Sequence, residues 1–371
     1  MDQLIVTTSS HRYPVVVAAG ALASLPERLA ELGLGGALWL ACDAAVAPRY
    51  GEPLVARLRG AGFAAQLHGV PSGEASKGPE ELWRLYSWMI GGGVERRDAV
   101  LALGGGVVGD LAGFAAATVL RGVAVVQLPT TLLAIVDSAV GGKTGINHPL
   151  GKNLVGAFHQ PLLVLADTDT LASLPPRELR AGWAEVIKHG VIADAGLFAE
   201  LEELAAAEGW GERPLAGWPT AGAPLAERLT ALVRRAVAVK VGVVSRDERE
   251  QGERITLNYG HTIGHAVEAL TGYGALLHGE AVAIGMHAAA GIAAGMGLCD
   301  AGLVERQRRL LAAYGLGVAM PPGLDPAAVL AATLRDKKVR AGRVRWVLPT
   351  GLGAVVVRDD VPEALVRAAL G

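Results

Sequence analysis

The chain has 371 residues, of which 51% are hydrophobic and 19% are charged, and its formal net charge is −2. This balance is typical of a globular protein, and the length predicts two domains. Because no excess of Lys and Arg runs along the chain, we expect no nucleic-acid partner, and any bound anion must be held by a local cluster of positive groups. Two cysteines are too few for a disulfide framework or a Cys-rich zinc site, which favours a reducing, cytoplasmic setting.

Two apolar segments raise the question of targeting or membrane insertion. Residues 14–25 follow a single positive charge, Arg12, and are interrupted by Gly20, so we interpret them as a strand, a glycine turn and a helix start, not as a signal peptide. Residues 281–299 are long enough to cross a bilayer, yet they are mostly Ala and Gly and contain His287. We predict a buried helix there and no membrane partner.

The remaining elements follow in chain order. Short, continuous apolar runs alternate with helical patterns such as that of residues 78–93, and the runs occupy residues 37–43, 64–70, 98–106, 123–129 and 162–167. Apolar strands separated by helices indicate a parallel sheet in an α/β domain. After about Asp167 helical patterns dominate, with a Gly- and Pro-rich surface loop predicted at 206–225 and a hairpin at 343–357.

These patterns predict an α/β N-terminal nucleotide-binding domain with a mainly parallel sheet, residues 1–166. A mainly α-helical C-terminal domain, residues 167–371, follows. We expect the active site in the cleft between them.

A glycine-rich turn follows the third predicted strand. Gly104, Gly106 and Gly109 have the G-x-G-x-x-G spacing, which lets a backbone approach a pyrophosphate at a helix N-terminus. An ordinary Rossmann fingerprint follows the first strand and has an acidic residue downstream, whereas the strand-end acid here, Asp43, lies upstream. Spacing alone therefore fits a cofactor site and a structural turn equally well.

Polar residues also gather in the segment 129–158. Asp137, Lys143, His148, Lys152 and Asn153 lie among glycines and between apolar flanks. A solvated loop is the simpler interpretation. Two lysines in a Gly-rich frame could instead bind a phosphate with help from backbone N–H groups, and we favour that functional interpretation.

Histidines and a carboxylate suggest a metal site in the second half of the chain. His261 and His265 are four residues apart and share one helix face, and His278 follows. Glu185 lies three residues before Lys188 inside an apolar helix, where both are either surface charges or site residues. His and carboxylate ligands with an open position are typical of catalytic zinc. The absence of H-E-x-x-H excludes the usual metalloprotease motif.

The order and spacing of these residues resemble the 3-dehydroquinate synthase family of sugar-phosphate cyclases, which is distantly related to iron-dependent alcohol dehydrogenases. The resemblance covers most of residues 70–350. Its motifs are "GGGVVGDLAGFAAATVLRG", "PTTLLAIVDSAVGGKTGINHPLGKNLVGAFHQP", "AEVIKHG", "DEREQGERITLNYGHTIGHAVE", "LHGEAVAIGM" and "DKKVRAGRVRWVLP".

The resemblance implies a phosphorus–oxygen lyase of the shikimate pathway that serves chorismate and aromatic amino acid biosynthesis. Such an enzyme converts 3-deoxy-D-arabino-heptulosonate 7-phosphate, a phosphorylated sugar acid, into 3-dehydroquinate and phosphate. It uses NAD⁺ catalytically together with Zn²⁺ or Co²⁺. The resemblance also implies a homodimer.

The resemblance further implies roles for individual residues around the metal and the substrate. The metal ligands are Glu185, His261 and His278, and the catalytic set is Asp137, Lys143, Lys188, Glu250 and His265. The substrate-binding set is Arg121, Lys143, Asn153, Lys240, Arg254, Asn258, His265 and Lys337. Within it, Lys240 and Arg254 bind the substrate carboxylate, and Arg121 reaches across from a partner subunit.

For the cofactor, the resemblance implies that Asp43 binds the adenosine ribose. Contacts to the pyrophosphate and ribose come from Glu74, Lys77, Gly105, Gly106, Val107 and Asp110, and those near the nicotinamide come from Thr130, Thr131, Lys152 and Ser173. Ser173 replaces the family's usual Thr but retains the hydroxyl, and Ala139 replaces the commoner Ser in a similarly minor departure.

Two alternatives remain open. A sister cyclase would act on a related sugar phosphate, such as sedoheptulose 7-phosphate, or would be an aminodehydroquinate synthase. The retained Lys240, Arg254 and Lys337 disfavour a substrate without a carboxylate, but they do not separate an amino-sugar variant. An alcohol dehydrogenase of the related fold would produce NADH in net amounts.

Overall fold

The computed structural model describes residues 3–272, 274–334, 339–340 and 343–371, with only the backbone of residues 339, 340 and 343. The chain divides into two compact units. One comprises Met1–Leu174 and Trp218–Arg249, and the other comprises Pro175–Gly217 and Glu250–Gly371. The segment Trp218–Arg249 therefore belongs with the first unit, whereas the sequence placed it in the second domain.

The first unit is built on a seven-stranded sheet in the order β1-β2-β9-β6-β5-β3-β4. Its strands are β1 (Gln3–Thr7), β2 (Arg12–Ala18), β3 (Leu38–Asp43), β4 (Ala65–Val70), β5 (Ala99–Gly104), β6 (Ala124–Pro129) and β9 (Leu163–Asp167). All neighbours pair in parallel except β1, which pairs antiparallel with β2. The mainly parallel sheet is confirmed.

Helices cover both faces of this sheet. They are α1 (Leu25–Glu31), α2 (Glu52–Gly60), α3 (Pro79–Gly91), α4 (Gly106–Thr118) and α7 (Pro224–Arg246). One core contains Leu29 and Leu58 from α1 and α2, and the other contains Leu85 and Leu111 from α3 and α4. Burial on both faces explains why β3 and β5 read as continuous apolar runs.

Helix α7 joins the first unit because its apolar face packs against this sheet. Leu229, Val233 and Val237 are buried, and the helix contacts β1 and β2. A hydrogen bond of 3.1 Å from Thr7 N to Ser245 Oγ fixes its last turn. Helical periodicity in the sequence predicts the helix, but it does not predict the core against which the helix packs.

The segment interpreted as a functional loop forms a hairpin, β7 (Lys143–His148) with β8 (Gly151–Phe158), paired antiparallel. His159 closes its base, because its backbone N donates to Gly142 O at 2.7 Å and its Nε2 lies 2.8 Å from Val123 O. Leu154 and Phe158 are exposed along β8.

The second unit is mainly helical, as predicted. Its helices are α5 (Pro176–Ala193), α6 (Ala195–Ala207), α8 (His261–Leu270), α9 (His278–Gly295), α10 (Ala301–Ala313), α11 (Pro326–Thr333) and α12 (Glu363–Leu370). Two small hairpins join β10 (Val339–Arg340) to β11 (Arg343–Val344) and β12 (Trp346–Gly351) to β13 (Ala354–Arg358). The predicted C-terminal hairpin is confirmed.

The structure gives an outcome for two further segments of the sequence, the apolar run 281–299 and the loop predicted at 206–225. Residues 281–299 lie largely in α9, a buried helix, as predicted. None of the helices in the described part of the chain has the length and apolarity to cross a membrane. The surface-loop prediction for 206–225 is wrong for Trp210, Leu215 and Trp218, which are buried. Trp210 packs edge-on against Tyr314, with ring centroids 5.1 Å apart.

Candidate functional site

Three helices of the second unit meet through glycines that leave no room for a side chain. A Cβ on Gly279 in α9 would collide with the backbone of Ala181 in α5. A Cβ on Gly285 in α9 would collide with the carbonyl of Gly260, the residue before α8. Gly260 also has a φ of 79°, which disfavours any other residue. These contacts set the starts of α8 and α9 close together and against α5.

The side chains at these helix starts converge on one carboxylate. His261 and His278 are the first residues of α8 and α9, and their Nε2 atoms lie 3.6 Å and 3.7 Å from the same atom, Oε1 of Glu185 in α5. The three potential ligand atoms lie within 4.8 Å of one another. Glu185 is fully buried. Two imidazoles and a carboxylate fit a catalytic zinc or cobalt ion that keeps an open position.

Both histidine rings are oriented by a second contact. His261 Nδ1 lies 3.0 Å from the carbonyl oxygen of Tyr259, and His278 Nδ1 lies 3.1 Å from Oε2 of Glu268. A carbonyl and an ionised carboxylate only accept hydrogen bonds, so each Nδ1 donates and each Nε2 turns its lone pair towards Glu185. The sequence analysis missed Glu268, although its position three residues after His265 on the same helix face was a possible signal.

His265 lies beside this cluster. Its ring centroid is 5.3 Å from that of His261 and 6.0 Å from that of His278. Together with Glu268 and His278 it forms a second group whose ligand atoms lie within 4.8 Å. Geometry alone therefore permits two ligand sets that share His278.

Lys188 contacts the Glu185 carboxylate, and both side chains are buried. The surface-charge interpretation of these two residues is therefore wrong. A buried carboxylate needs such a cation, because an uncompensated buried charge is strongly destabilising.

The turn before α8 carries three further residues of the predicted site. Asn258 Nδ2 donates to Glu250 Oε1 at 2.8 Å, and Arg254 is only 2% exposed. Arg254 and Asn258 lie in the 3₁₀ helix Glu253–Asn258, which directly precedes α8. The structure thus brings Glu250 and Asn258 together.

Backbone strain coincides with predicted site residues. Among the described residues, the non-glycine residues with positive φ are Leu120, Arg121, Asn153 and Glu250. The left-handed conformation costs about 1–2 kcal/mol for an L-residue, and such strain is concentrated at functional sites. Three of these four residues belong to the set implied by the resemblance, which supports a role for the turns that carry them.

In the first unit, the glycine-rich turn links a strand to a helix. Gly104 ends β5, Gly105 is extended, and α4 begins at Gly106 with Val107 in its first turn. Thr130 N donates to Gly104 O at 2.9 Å, and a Cβ on Gly105 would lie 3.1 Å from Thr131 Cγ2. A strand that leads through glycines into a helix N-terminus is a geometry that suits a pyrophosphate.

The charged residues around this turn are paired with one another. Lys77 Nζ lies 2.5 Å from Asp110 Oδ2, and Asn147 Nδ2 donates to Glu74 Oε1 at 2.7 Å. Burial raises the pKa of Asp110, and the ammonium of Lys77 opposes that shift. At the end of β3, Asp43 accepts hydrogen bonds from the Ser72 hydroxyl and from Ala45 N. Ser72 was missed by the sequence analysis.

The remaining predicted residues are distributed over both units. Lys240 in α7 contacts Asp137, whereas Arg254, its expected partner for a carboxylate, belongs to the second unit. Ser173 Oγ lies 2.9 Å from the Tyr50 hydroxyl. The hairpin β7–β8 carries Lys143, Lys152 and Asn153. Lys337 lies outside the described residues.

Comparison with protein families gives matches to both halves of the chain. The family model for the 3-dehydroquinate synthase N-terminal region matches residues 67–181, and the model for the C-terminal region matches residues 182–339. A curated 3-dehydroquinate synthase from Synechocystis sp. is 48% identical over 97% of this chain and 96% of its own length.

Two solved structures share the fold over almost the whole chain. A 2-epi-5-epi-valiolone synthase from Streptomyces hygroscopicus subsp. jinggangensis, with NAD⁺ and Zn²⁺ bound, has a TM-score of 0.85 and is 32% identical over 98% of this chain and 97% of its own. A 2-deoxy-scyllo-inosose synthase complexed with carbaglucose-6-phosphate, NAD⁺ and Co²⁺ has a TM-score of 0.85 and is 26% identical, covering 100% of this chain and 99% of its own.

Proposed function

The chain belongs to the 3-dehydroquinate synthase family, and we propose how its own residues carry out that family's reaction. The reaction converts 3-deoxy-D-arabino-heptulosonate 7-phosphate into 3-dehydroquinate and phosphate, with catalytic NAD⁺ and Zn²⁺ or Co²⁺. The observation that carries this function is the 48% identity over 96% of the length of a curated 3-dehydroquinate synthase. Within the structure, the convergence of Glu185, His261 and His278 supports it.

We assign the metal to Glu185, His261 and His278. A metal ion held there would supply polarisation of the substrate oxygens, and NAD⁺ would supply a reversible hydride acceptor. The support for this assignment is chemical, because a buried carboxylate faces the Nε2 atoms of two imidazoles whose Nδ1 atoms lie against hydrogen-bond acceptors. Lys188 would balance the charge of Glu185 while the substrate enters and would lie close to the reacting hydroxyls.

We assign the substrate phosphate to Lys143, Asn153, Asn258, His265 and Lys337, with Arg121 from a partner subunit. The support is twofold: His265 lies next to the metal cluster, and α8 and α9 both begin there, where backbone N–H groups favour an anion. His265 would hold or move a proton near the leaving phosphate. The other residues of this set would mainly orient the phosphate for the reaction.

We assign the substrate carboxylate to Lys240 and Arg254, since two cations suit one carboxylate. Asp137 and Glu250 would orient the reacting hydroxyls. The contacts of these two carboxylates support this, because Asp137 contacts Lys240 and Glu250 accepts a hydrogen bond from Asn258. A left-handed φ of 58° at Glu250 is a further sign of a constrained functional turn.

We assign NAD⁺ to the carboxyl edge of the parallel sheet in the first unit. Asp43 would bind the adenosine ribose. The helix start at Gly105, Gly106 and Val107 would bind the pyrophosphate with Glu74, Lys77 and Asp110, and Thr130, Thr131, Lys152 and Ser173 would line the nicotinamide side. The support is that these residues, except Lys152 in β8, lie at or after the ends of β3, β4, β5, β6 and β9, whose carboxyl ends share one edge of the sheet.

We also propose a homodimer in the cytoplasm. Arg121 is exposed on a strained turn, and Leu150, Leu154 and Phe158 are exposed at 86%, 46% and 45%, respectively. Exposed apolar side chains on a hairpin suit burial by a second copy of the chain. A reducing compartment is consistent with the two cysteines, which are both free.

Steady-state assays test the reaction. The purified protein would receive the heptulosonate phosphate, Zn²⁺ or Co²⁺ and substoichiometric NAD⁺, with phosphate and 3-dehydroquinate measured over many turnovers. We expect equal amounts of both products and no net NADH. Sedoheptulose 7-phosphate and an amino analogue of the substrate serve as comparison substrates. Faster turnover of either comparison substrate would show that the protein is a sister cyclase. Formation of NADH in stoichiometric amounts would show that it is a dehydrogenase.

A further inference from the structure

Glu268 lies in the metal cluster but belongs to neither the metal nor the substrate set assigned above. It is located in α8 and is only 5% exposed. Its Oε2 atom is 3.1 Å from Nδ1 of His278, the first residue of α9. A buried carboxylate in direct contact with a metal-ligand histidine requires an explanation, because burying a carboxylate is costly unless it serves a partner.

The ring of His278 lies between two buried carboxylates. Its Nε2 is 3.7 Å from Glu185 Oε1, and its Nδ1 is 3.1 Å from Glu268 Oε2. The corresponding Nδ1 of His261 faces a neutral backbone carbonyl at 3.0 Å. The two ligand histidines therefore differ in one respect, since a side-chain carboxylate orients His278 and the main chain orients His261.

We propose that Glu268 is a positioning residue for the metal ligand His278. Its carboxylate accepts a hydrogen bond from Nδ1–H, which keeps the ring in the tautomer whose Nε2 lone pair faces Glu185. The negative charge also increases the donor strength of the imidazole towards a cation. This inference rests on the proposed metal site and is independent of which sugar phosphate is converted.

A role for Glu268 as the ligand of a second ion is less compatible with the chemistry of the ring. The alternative group, His265, Glu268 and His278, shares His278 with the first group. A neutral imidazole has one lone pair and one N–H. His278 therefore cannot bind metal through both nitrogens unless the ring loses its second proton, whereas donation to Glu268 uses both nitrogens without further ionisation.

Metal affinity measured without substrate or NAD⁺ tests the proposal. The affinity for Zn²⁺ would be determined by competition with a chelator, and the visible absorption of the Co²⁺-loaded protein would report the ligand field. We expect Glu268→Ala to weaken Zn²⁺ binding by about 10–100-fold and to change the Co²⁺ spectrum. Glu268→Gln keeps an acceptor for Nδ1–H but loses the charge, so we expect a loss of roughly three- to tenfold.

Glu280→Gln is a matched control on the same helix as His278. Glu280 accepts from Leu277 N at 2.9 Å and pairs with Arg177, so its loss perturbs the start of α9 without removing a contact of His278 Nδ1. We expect its Zn²⁺ affinity to stay within about twofold of wild type. If Glu268→Ala does not fold, Glu268→Gln decides by the same measurement.

Three outcomes would overturn the inference. Wild-type Zn²⁺ affinity in both Glu268 variants would show that the contact does not position a ligand. Two ions per wild-type chain, with one lost in the Glu268 variants, would make Glu268 a ligand. Full metal content in His278→Ala would show that His278 is not a metal ligand. That result would overturn the assigned metal site and this inference with it. Product formation from the heptulosonate phosphate tests the proposed reaction separately.

Discussion

The metal cluster of the second unit and the cofactor region of the first unit are organised in different ways. In the cluster, Glu185, His261 and His278 come from three helices that are held together by contacts at glycine. In the cofactor region, the polar residues follow strand ends and are joined in pairs, such as Lys77 with Asp110 and Asn147 with Glu74. One region aims its ligand atoms at a common point, whereas the other spreads its groups along a sheet edge.

The difference follows from the size of what each region is proposed to bind. A metal ion needs ligand atoms placed within a few tenths of an ångström, which close helix contacts and fixed histidine tautomers provide. A dinucleotide is long and binds through many weaker contacts, so the pairs at the sheet edge can rearrange one at a time. We therefore expect mutations to act abruptly at the cluster and gradually at the sheet edge.

The largest effect is expected when a helix contact of the cluster is broken. Gly285→Ala places a Cβ against the Gly260 carbonyl, and we expect it to lower the free energy of unfolding by about 4 kcal/mol or more and to abolish Zn²⁺ binding. Gly291→Ala is the matched control on α9, because the nearest described atom to its Cβ would be Ala369 Cβ, at an ordinary contact distance of 3.9 Å. Urea unfolding and metal titration check both. Normal Zn²⁺ affinity in Gly285→Ala would show that this contact does not shape the cluster.

The next effect separates the two histidines of α8. His265→Ala should keep one metal ion per chain and lose about 10²–10⁴-fold in kcat, since it removes a proposed proton-transfer group but no ligand. His287→Ala serves as the control. Burial lowers the pKa of His287, and the nearby Arg308 adds to that shift. Because His287 belongs to none of the assigned metal, substrate or cofactor sets, its removal should leave activity within about twofold. Loss of metal from His265→Ala would favour the alternative ligand set.

A smaller effect is expected at the sheet edge. Lys77→Ala removes a buried cation that contacts Asp110, and we expect NAD⁺ to bind about 10–100-fold more weakly, while Zn²⁺ affinity stays unchanged. Arg84→Ala is the control, because Arg84 is an exposed cation of α3 with a side chain that is 63% exposed. Calorimetric titration with NAD⁺ measures the change. A simultaneous loss of Zn²⁺ binding would contradict the independence of the two regions.

The smallest effect concerns the hairpin β7–β8 of the first unit. Burial lowers the pKa of His159, whose Nε2 lies against Val123 O. The unfolded chain therefore binds more protons between the two pKa values, and the free energy of unfolding falls as the pH drops below about 6.5. His159→Gln should cost about 1 kcal/mol at pH 7.5 and flatten this pH dependence.

Urea unfolding between pH 5 and 8 measures the His159 effect. His148→Gln, an exposed position on the same hairpin, is the control and should keep the wild-type slope. An unchanged slope in His159→Gln would contradict the prediction.

The sequence by itself determined the elements whose signal is local. Continuous apolar runs gave the parallel strands, and the glycine run after β5 gave the start of α4. The resemblance gave Glu185, His261 and His278 together, and the structure places them around one point. Helical spacing alone had suggested His261 with His265, because periodicity reports which residues share a face of one helix and nothing about other helices.

Only the tertiary structure decided what depends on packing between distant segments. In the tertiary structure α7 belongs to the first unit and residues 143–158 form the hairpin β7–β8. Trp210 packs against Tyr314, and Glu268 contacts His278. The structure also showed that Lys77 and Asp110 are partners of each other. These features arise from close contacts between residues far apart in the chain. The local pattern of one segment contains no information about the surface that another segment presents to it.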